Sequence, residues 1–359
     1  MWVSLKRGLL LLLIQGSMWA NEIEVTNLND SGVGSFREAL TQAEEDDQIL
    51  FDASLAGGTL TLLSDLPKLD RDLTIQGPLA GNVTIDGNDN YRVFHVGAGR
   101  QVEISRLHVS SAFITGSGAG LFLGIGSEVS FSHGAFAACT ATESGGGAVH
   151  VGIDAALTLE EVTFSGNSSG GPGKDLFLSA GSAVLVLSET TPAAINIFGI
   201  GQVVKQGAAL VALDVDAPTA LSLVVEQGKV AITGVLTEPV IVYGTLEGDV
   251  DCAYLVNQGT VTLSQTMGTL ENYWQNRQAI LEVPLTPSGS ATLQVGKDAY
   301  VQGTLSLSPE PGVYHVGQVY TILTAGGGVN FQLGQVVSSS MIFIARPLGK
   351  TIEVEITAL

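Results

Sequence analysis

The chain has 359 residues, 45 of them Gly, with a charged fraction of 14% and a net charge of −20. That mix is unusual for an enzyme and suits a small-side-chain, all-β repeat architecture. Lys174, Lys205 and Lys229 are the only basic residues between Arg106 and Arg277, so no basic patch is expected for nucleic acid or anionic lipid.

Residues 1–20 read "MWVSLKRGLLLLLIQGSMWA": Lys6 and Arg7, an apolar run from Leu9 to Ile14, then small or neutral residues ending at Ala20. This pattern predicts a secretory signal peptide, too short to span a membrane, with cleavage after Ala20. No later stretch reaches the roughly 18 apolar residues of a spanning helix, so the exported chain is expected to be soluble.

An N-terminal cap is expected over 21–57. Within "SGVGSFREALTQAEEDDQILFD" (31–52), Ser35 is an N-cap residue and Glu38 follows three positions later, a capping box. Phe36 and Leu40 share a face, and Ala39 and Ala43 favour helix, so one amphipathic helix is predicted over 35–45. From "QILFD" and "GTLTLL" onward, Val/Ile/Leu/Phe runs broken by Gly, Ser, Asn and Asp read as strands and turns.

A repeat underlies the coils predicted over 58–264. Val96, Leu123, Val151 and Leu178 are separated by 27, 28 and 27 residues. The same offsets link Val102, Val129, Leu157 and Val184, and again Ile104, Phe131, Leu159 and Val186. Units of this length, with short strands and Gly-rich corners, predict a right-handed parallel β-helix. Alternation points Phe94, Val96, Leu121, Leu123, Val149, Val151, Leu176 and Leu178 inward, and His95, Phe122, His150 and Phe177 outward. The helix at 35–45 is then expected to close the N-terminal end of an otherwise open core.

"GGAV" (146–149) and "FSGN" (164–167) resemble the GGA[ILV] and FxxN tetrapeptides of chlamydial-type polymorphic outer-membrane proteins. One unit earlier the positions read "GAGL" and "FAAC", with Cys139 where the Asn would stand. "SFREAL", "LTIQGPLAGNVTIDG" and "YRVFHV" are similar to the opening of many exported bacterial β-helix proteins. The segment 265–359 resembles the last coils of an autotransporter passenger, through Tyr273 and Gln275 before an alternating strand, then Tyr314 and "YTIL" (320–323). The resemblance implies a pectate-lyase-like solenoid in a Gram-negative bacterium, secreted or on the outer-membrane surface, with the periplasm as a further destination. It also implies a contact role with a host or neighbouring cell surface. The family continues into a membrane barrel where this sequence ends, at Leu359, so a separate outer-membrane translocator is an expected partner.

Exported β-helices that cleave acidic polysaccharides use carboxylate pairs, or a carboxylate-bound calcium beside an Arg base. Asp86 and Asp89 in "TIDGNDN" are the best cluster for such a site, and a tight corner is the preferred reading. Glu247, Asp249 and Asp251 share one strand face, where they could collect a cation such as calcium; exposed charge that keeps an edge soluble is the preferred reading. His95 and His150 are expected two turns apart, roughly 9.6 Å, too far to share zinc. Phe122 and Phe177 are expected to lie under a loop, since exposed Phe would otherwise mark a contact patch. Cys139 and Cys252, about 19 Å apart along the axis, are expected to be unpaired, with Cys139 a small buried filler. Tyr273, Trp274, Tyr300, Tyr314, Tyr320, Phe331 and Phe343 predict that the C-terminal coils bury the most apolar area per turn.

The expectation is therefore a monomeric, non-enzymatic passenger-type protein. No catalytic residue, no cofactor-binding residue, no metal ligand and no nucleic-acid partner is assigned. The alternatives are a polysaccharide-active lyase or hydrolase and a periplasmic autotransporter remnant.

Overall fold

The computed structural model describes residues 20–359, apart from 144, 181–183, 189–193, 216–217, 265 and 270 and the side chains of Asp249 and Val250. The predicted signal peptide, save Ala20, lies outside the described residues.

The helix runs over Phe36–Gln42. Ser35 is extended and its Oγ accepts the Glu38 N–H at 3.2 Å. Glu38 Oε2 reaches back to the Gly34 N–H at 2.6 Å, because the Ser35 N–H is already given to the Gly32 carbonyl. The capping box is thus displaced by one residue. The helix stops short of residue 45 because Asp47 Oδ2 takes the Glu44 N–H at 2.8 Å and Ala43 turns extended. Its apolar face, Phe36, Ala39, Leu40 and Ala43, is buried, with the Phe36 ring 5.0 Å from Phe51 and 6.3 Å from Phe94.

The rest is all-β. Among the described residues 32 strands join one sheet, and successive strands from Glu22–Val25 to Val329–Ser338 pair almost entirely in parallel. Leu121–Leu123 lies on Phe94–Val96, and Val149–Val151 pairs with Leu121–Leu123 on one side and Leu176–Leu178 on the other. Every residue expected inward in these strands is buried. The columns through Val102, Val129 and Leu157 and through Ile104, Phe131 and Leu159 hold as well.

At the next rung the predicted columns fail. Leu157 and Leu159 pair with Leu185 and Leu187, not with Val184 and Val186, and it is the leucines that are buried. The corner after Leu178 carries one residue more than those after Val96, Leu123 and Val151, and a one-residue slip exchanges the two faces of a strand.

The period also changes. The pairs Leu176–Ile197, Val203–Leu223, Leu223–Val240, Val240–Leu255 and Leu255–Tyr273 are 21, 20, 17, 15 and 18 residues apart. The early rungs are longer in part because each adds a two-residue strand, Phe113–Ile114, Thr140–Ala141 or Ser168–Ser169, and these stack as a separate three-stranded sheet. Rungs lengthen again at Tyr273–Ala299 and Ala299–Val329, separated by 26 and 30 residues.

Parallel stacking gives way at the C-terminus. Thr351–Ala358 pairs antiparallel with both Ile342–Leu348 and Val319–Ala325, so a hairpin covers what would be an open strand edge. Tyr273, Tyr314, Tyr320 and Phe343 are buried as expected. Trp274 is not: it is 50% exposed, and Tyr300 and Phe331 are only partly covered. Trp274 and Tyr300 fall on outward positions of their strands, so alternation overrides their size.

Candidate functional site

Two aromatic columns stand on the outer faces of the stack. The first joins His95, Phe122, His150, Phe177 and Phe198, one from each of five successive rungs. Ring centroids are 5.1, 4.9, 5.3 and 6.0 Å apart in that order. Arg92 lies with its guanidinium carbon 4.9 Å from the Phe122 centroid, and its donors go to the carbonyls of Gly118 and Ser117. His150 shares a 2.8 Å hydrogen bond between Nε2 and Ser179 Oγ. Burial, with Arg92 adding to it, pushes the His150 pKa down to about 4, and the same causes lower His95.

The expected loop over Phe177 is the Gly-rich turn of the preceding rung. A Cβ on Gly145 would stand 2.3 Å from Phe177 Cδ2, so only glycine permits this approach. His95 and Phe122 are half-buried within the column itself.

The second column lies in the C-terminal third. Val256, Trp274, Tyr300 and Asn330 occupy one outward register position on four rungs. Trp274 and Tyr300 stack at 4.2 Å with their planes 22° apart. Two residues along each strand stand Gln258, Asn276, Gln302 and Gln332, the last two paired directly. A groove of about 330 Å³ follows these columns, and none of the residues lining it is charged.

Beneath the groove an inward polar network fixes the corner. Asn257 Nδ2 donates to Tyr273 Oη at 3.2 Å, and Tyr273 Oη donates to Gln275 Oε1 at 2.7 Å. Gln275 Nε2 donates to the carbonyls of Gln302 at 2.6 Å and Thr304 at 3.1 Å. Burial raises the Tyr273 pKa, so the phenol stays a neutral donor. The sequence reading found Tyr273 and Gln275 but missed Asn257 and the exposure of Trp274. The signal was present in "NYWQN": polar groups at inward positions around an outward Trp.

The other candidates do not converge. Asp86 Oδ1 accepts the Asn88 N–H at 2.8 Å, and Asn88 and Asp89 have φ of 55° and 52°, the geometry of a tight corner. Glu247 is ion-paired with Lys229, while Asp251 stands four residues on, about 13 Å along the strand. The Asp249 side chain lies outside the described residues. Asp251 borders a larger open cleft of about 470 Å³ floored by Gly268, Gly296 and Gly326. Among the described residues no three His, Cys, Asp or Glu side chains group closely enough to hold a metal ion.

Cys139 and Cys252 are buried and unpaired, and burial pushes both thiols up to about 12. Cys139 sits in the Asn column, where its N–H donates to Asn167 Oδ1 at 2.9 Å.

No family model matches the chain, and no curated protein matches it at a significant level.

Proposed function

We propose that the stack is a right-handed parallel β-helix of pectate-lyase-like form, closed at its N-terminal end by the helix Phe36–Gln42. We propose further that the chain is an exported, surface-exposed and non-enzymatic passenger-type protein whose long lateral face contacts a host or neighbouring cell surface. The observation that carries this reading is the register: parallel pairing sets like side chains above one another over many rungs, as in the column from His95 to Phe198. Such repeating lateral surfaces serve extended contacts better than a single pocket does. The likeness of 265–359 to passenger coils supports the export route.

The test is immunolabelling of intact cells together with retention of protein-coated beads on host or neighbouring cells. Label on unpermeabilised cells and specific bead retention are expected. Label that appears only after the outer membrane is opened, or beads that do not adhere, would overturn the reading.

A further inference from the structure

The groove along Trp274 and Tyr300 is lined without charge. The protein carries a net charge of −20, yet Val256, Gln258, Trp274, Asn276, Tyr300, Gln302 and Asn330, which line the groove's outer face, are all uncharged. Trp274 is half exposed although a solvent-facing indole is costly, and it is set on a corner that the Asn257–Tyr273–Gln275 network makes rigid. The side chains of Gln258, Gln302 and Asn330 make no hydrogen bond among the described residues. Asn276, which also lines the groove, uses its Oδ1 on the Gln278 and Ala279 N–H groups, both at 2.9 Å, and its Nδ2 makes no hydrogen bond among the described residues.

These features select a ligand class. Primary amides present a donor and an acceptor side by side, which suits hydroxyl groups that also donate and accept. The aromatic pair offers an apolar surface for C–H groups next to them. A groove of about 330 Å³ lies within the roughly 300–1,000 Å³ of small-molecule sites. With no cation in its lining it gives no charged partner to phosphate or carboxylate, and with no carboxylate it gives none to a metal ion or basic peptide.

We propose that the Trp274–Tyr300 groove binds a short segment of a neutral polysaccharide. The sugar's C–H groups lie against the exposed flank of the stacked aromatic pair, and Gln258, Asn276, Gln302 and Asn330 hydrogen-bond to its hydroxyls. The proposal names the ligand class of the contact face, and so rests on the reading of this chain as a surface-contact protein. Trp274 also reports binding: the emission change is assigned to it by difference against Trp274→Ala, which keeps Trp2 and Trp19.

The experiment titrates the purified full-length chain with cellotetraose, maltotetraose and β-1,4-galactotetraose, following Trp emission and heat of binding, with tetragalacturonate as the charged comparison. At least one neutral tetrasaccharide is expected to bind saturably with a Kd of about 10 μM to 1 mM, and tetragalacturonate about tenfold more weakly. Trp274→Ala should abolish the heat of binding, and Gln302→Ala should weaken it about threefold to tenfold, with thermal melts near that of the parent. Gln302→Ala keeps the indole, so it separates loss of binding from loss of the reporter.

No saturable binding of the three neutral probes by the folded chain overturns the proposal. So does binding that survives Trp274→Ala, or equal affinity for tetragalacturonate. Failure of cell-surface labelling would instead overturn the location and leave the purified binding result standing.

Discussion

At the scale of single residues, a line of buried polar side chains stitches the rungs together. Asn167, the last residue of "FSGN", accepts the Cys139 N–H through Oδ1 and donates through Nδ2 to the Phe136 carbonyl at 3.1 Å and to Asp175 Oδ1 at 2.9 Å. Asp175 Oδ2 accepts the Asn196 N–H at 2.8 Å, and Asn196 Nδ2 donates to Asp214 Oδ2 at 3.2 Å. Removing the first link takes the hydrogen bond from the buried Cys139 N–H, so Asn167→Ala should cost about 1–3 kcal/mol in urea unfolding. A midpoint unchanged by that substitution would show that the chain of bonds contributes nothing. His150 makes a second prediction. The folded column holds its imidazole neutral, with the pKa down at about 4 against 6.5 for the free group. Between those values the unfolded chain binds a proton that the native chain does not, so stability rises with pH there and falls as pH drops from about 6.5 toward 4. After allowance for solvent screening at a half-buried ring, the loss should be on the order of 1 kcal/mol, and His150→Phe should remove most of it. The measurement is the melting temperature of both chains across that pH window.

At the scale of elements, facing decides what a substitution does. Phe164 is buried and its ring stacks 5.5 Å from Phe136, whereas Thr163 beside it points outward next to Ala135. Phe164→Asp should therefore destabilise by about 3 kcal/mol or more, and Thr163→Asp by less than about 0.5 kcal/mol. Equal losses in chemical denaturation would mean the strand is faced wrongly. The same alternation made much of the architecture legible in the sequence: the helix, its N-cap at Ser35, and the inward columns from Val96 to Leu178 follow from local pattern alone. What was not legible depends on corners. The extra residue after Leu178 is invisible in a run such as "AVLVL", where both faces are apolar, so Val184 and Leu185 compete for the core on equal terms. The shorter rungs near 197–255 likewise leave no mark, because Val-, Ala- and Gly-rich strands carry the same texture at any period. The groove stayed hidden for a related reason. Large aromatics argue for burial by size, and it is the hydrogen bonds of Tyr273 and Gln275, to each other and to the rungs on either side, that hold these two inward and leave Trp274 outward.

At the scale of the whole molecule, the two ends of the stack differ in how they can start folding. The N-terminal end includes a seven-residue helix, Phe36–Gln42, whose Phe36 needs Phe51 and Phe94 from later strands before it is covered. The C-terminal end contains the hairpin Ile342–Leu348 with Thr351–Ala358, whose pairing closes over a few residues and so carries a small loop-closure cost. That hairpin pairs with Val319–Ala325, and Tyr314 ties the same region down through its single O–H, which lies 2.9 Å from the carbonyls of both Leu285 and Glu310 and is shared between them. Between the ends, strands such as Ala220–Val225 and Val240–Val242 bury only Val and Leu and gain their order from neighbours. In a stack where each rung touches mainly the next, order spreads from the most stable unit. The fragment 265–359 should therefore refold alone into a protease-resistant, strand-rich core, and the chain ending at residue 264 should not. Tyr273 qualifies this, because its hydroxyl takes a hydrogen bond from Asn257 in the rung before it, so a fragment begun at 240 should be the more stable of the two. Far-ultraviolet circular dichroism and limited proteolysis after dilution from denaturant would order the three chains as 240–359, then 265–359, then 21–264. A resistant 21–264 beside a disordered 265–359 would place the nucleus at the helix end instead, and the hairpin would then be a late-forming cover over an already built stack.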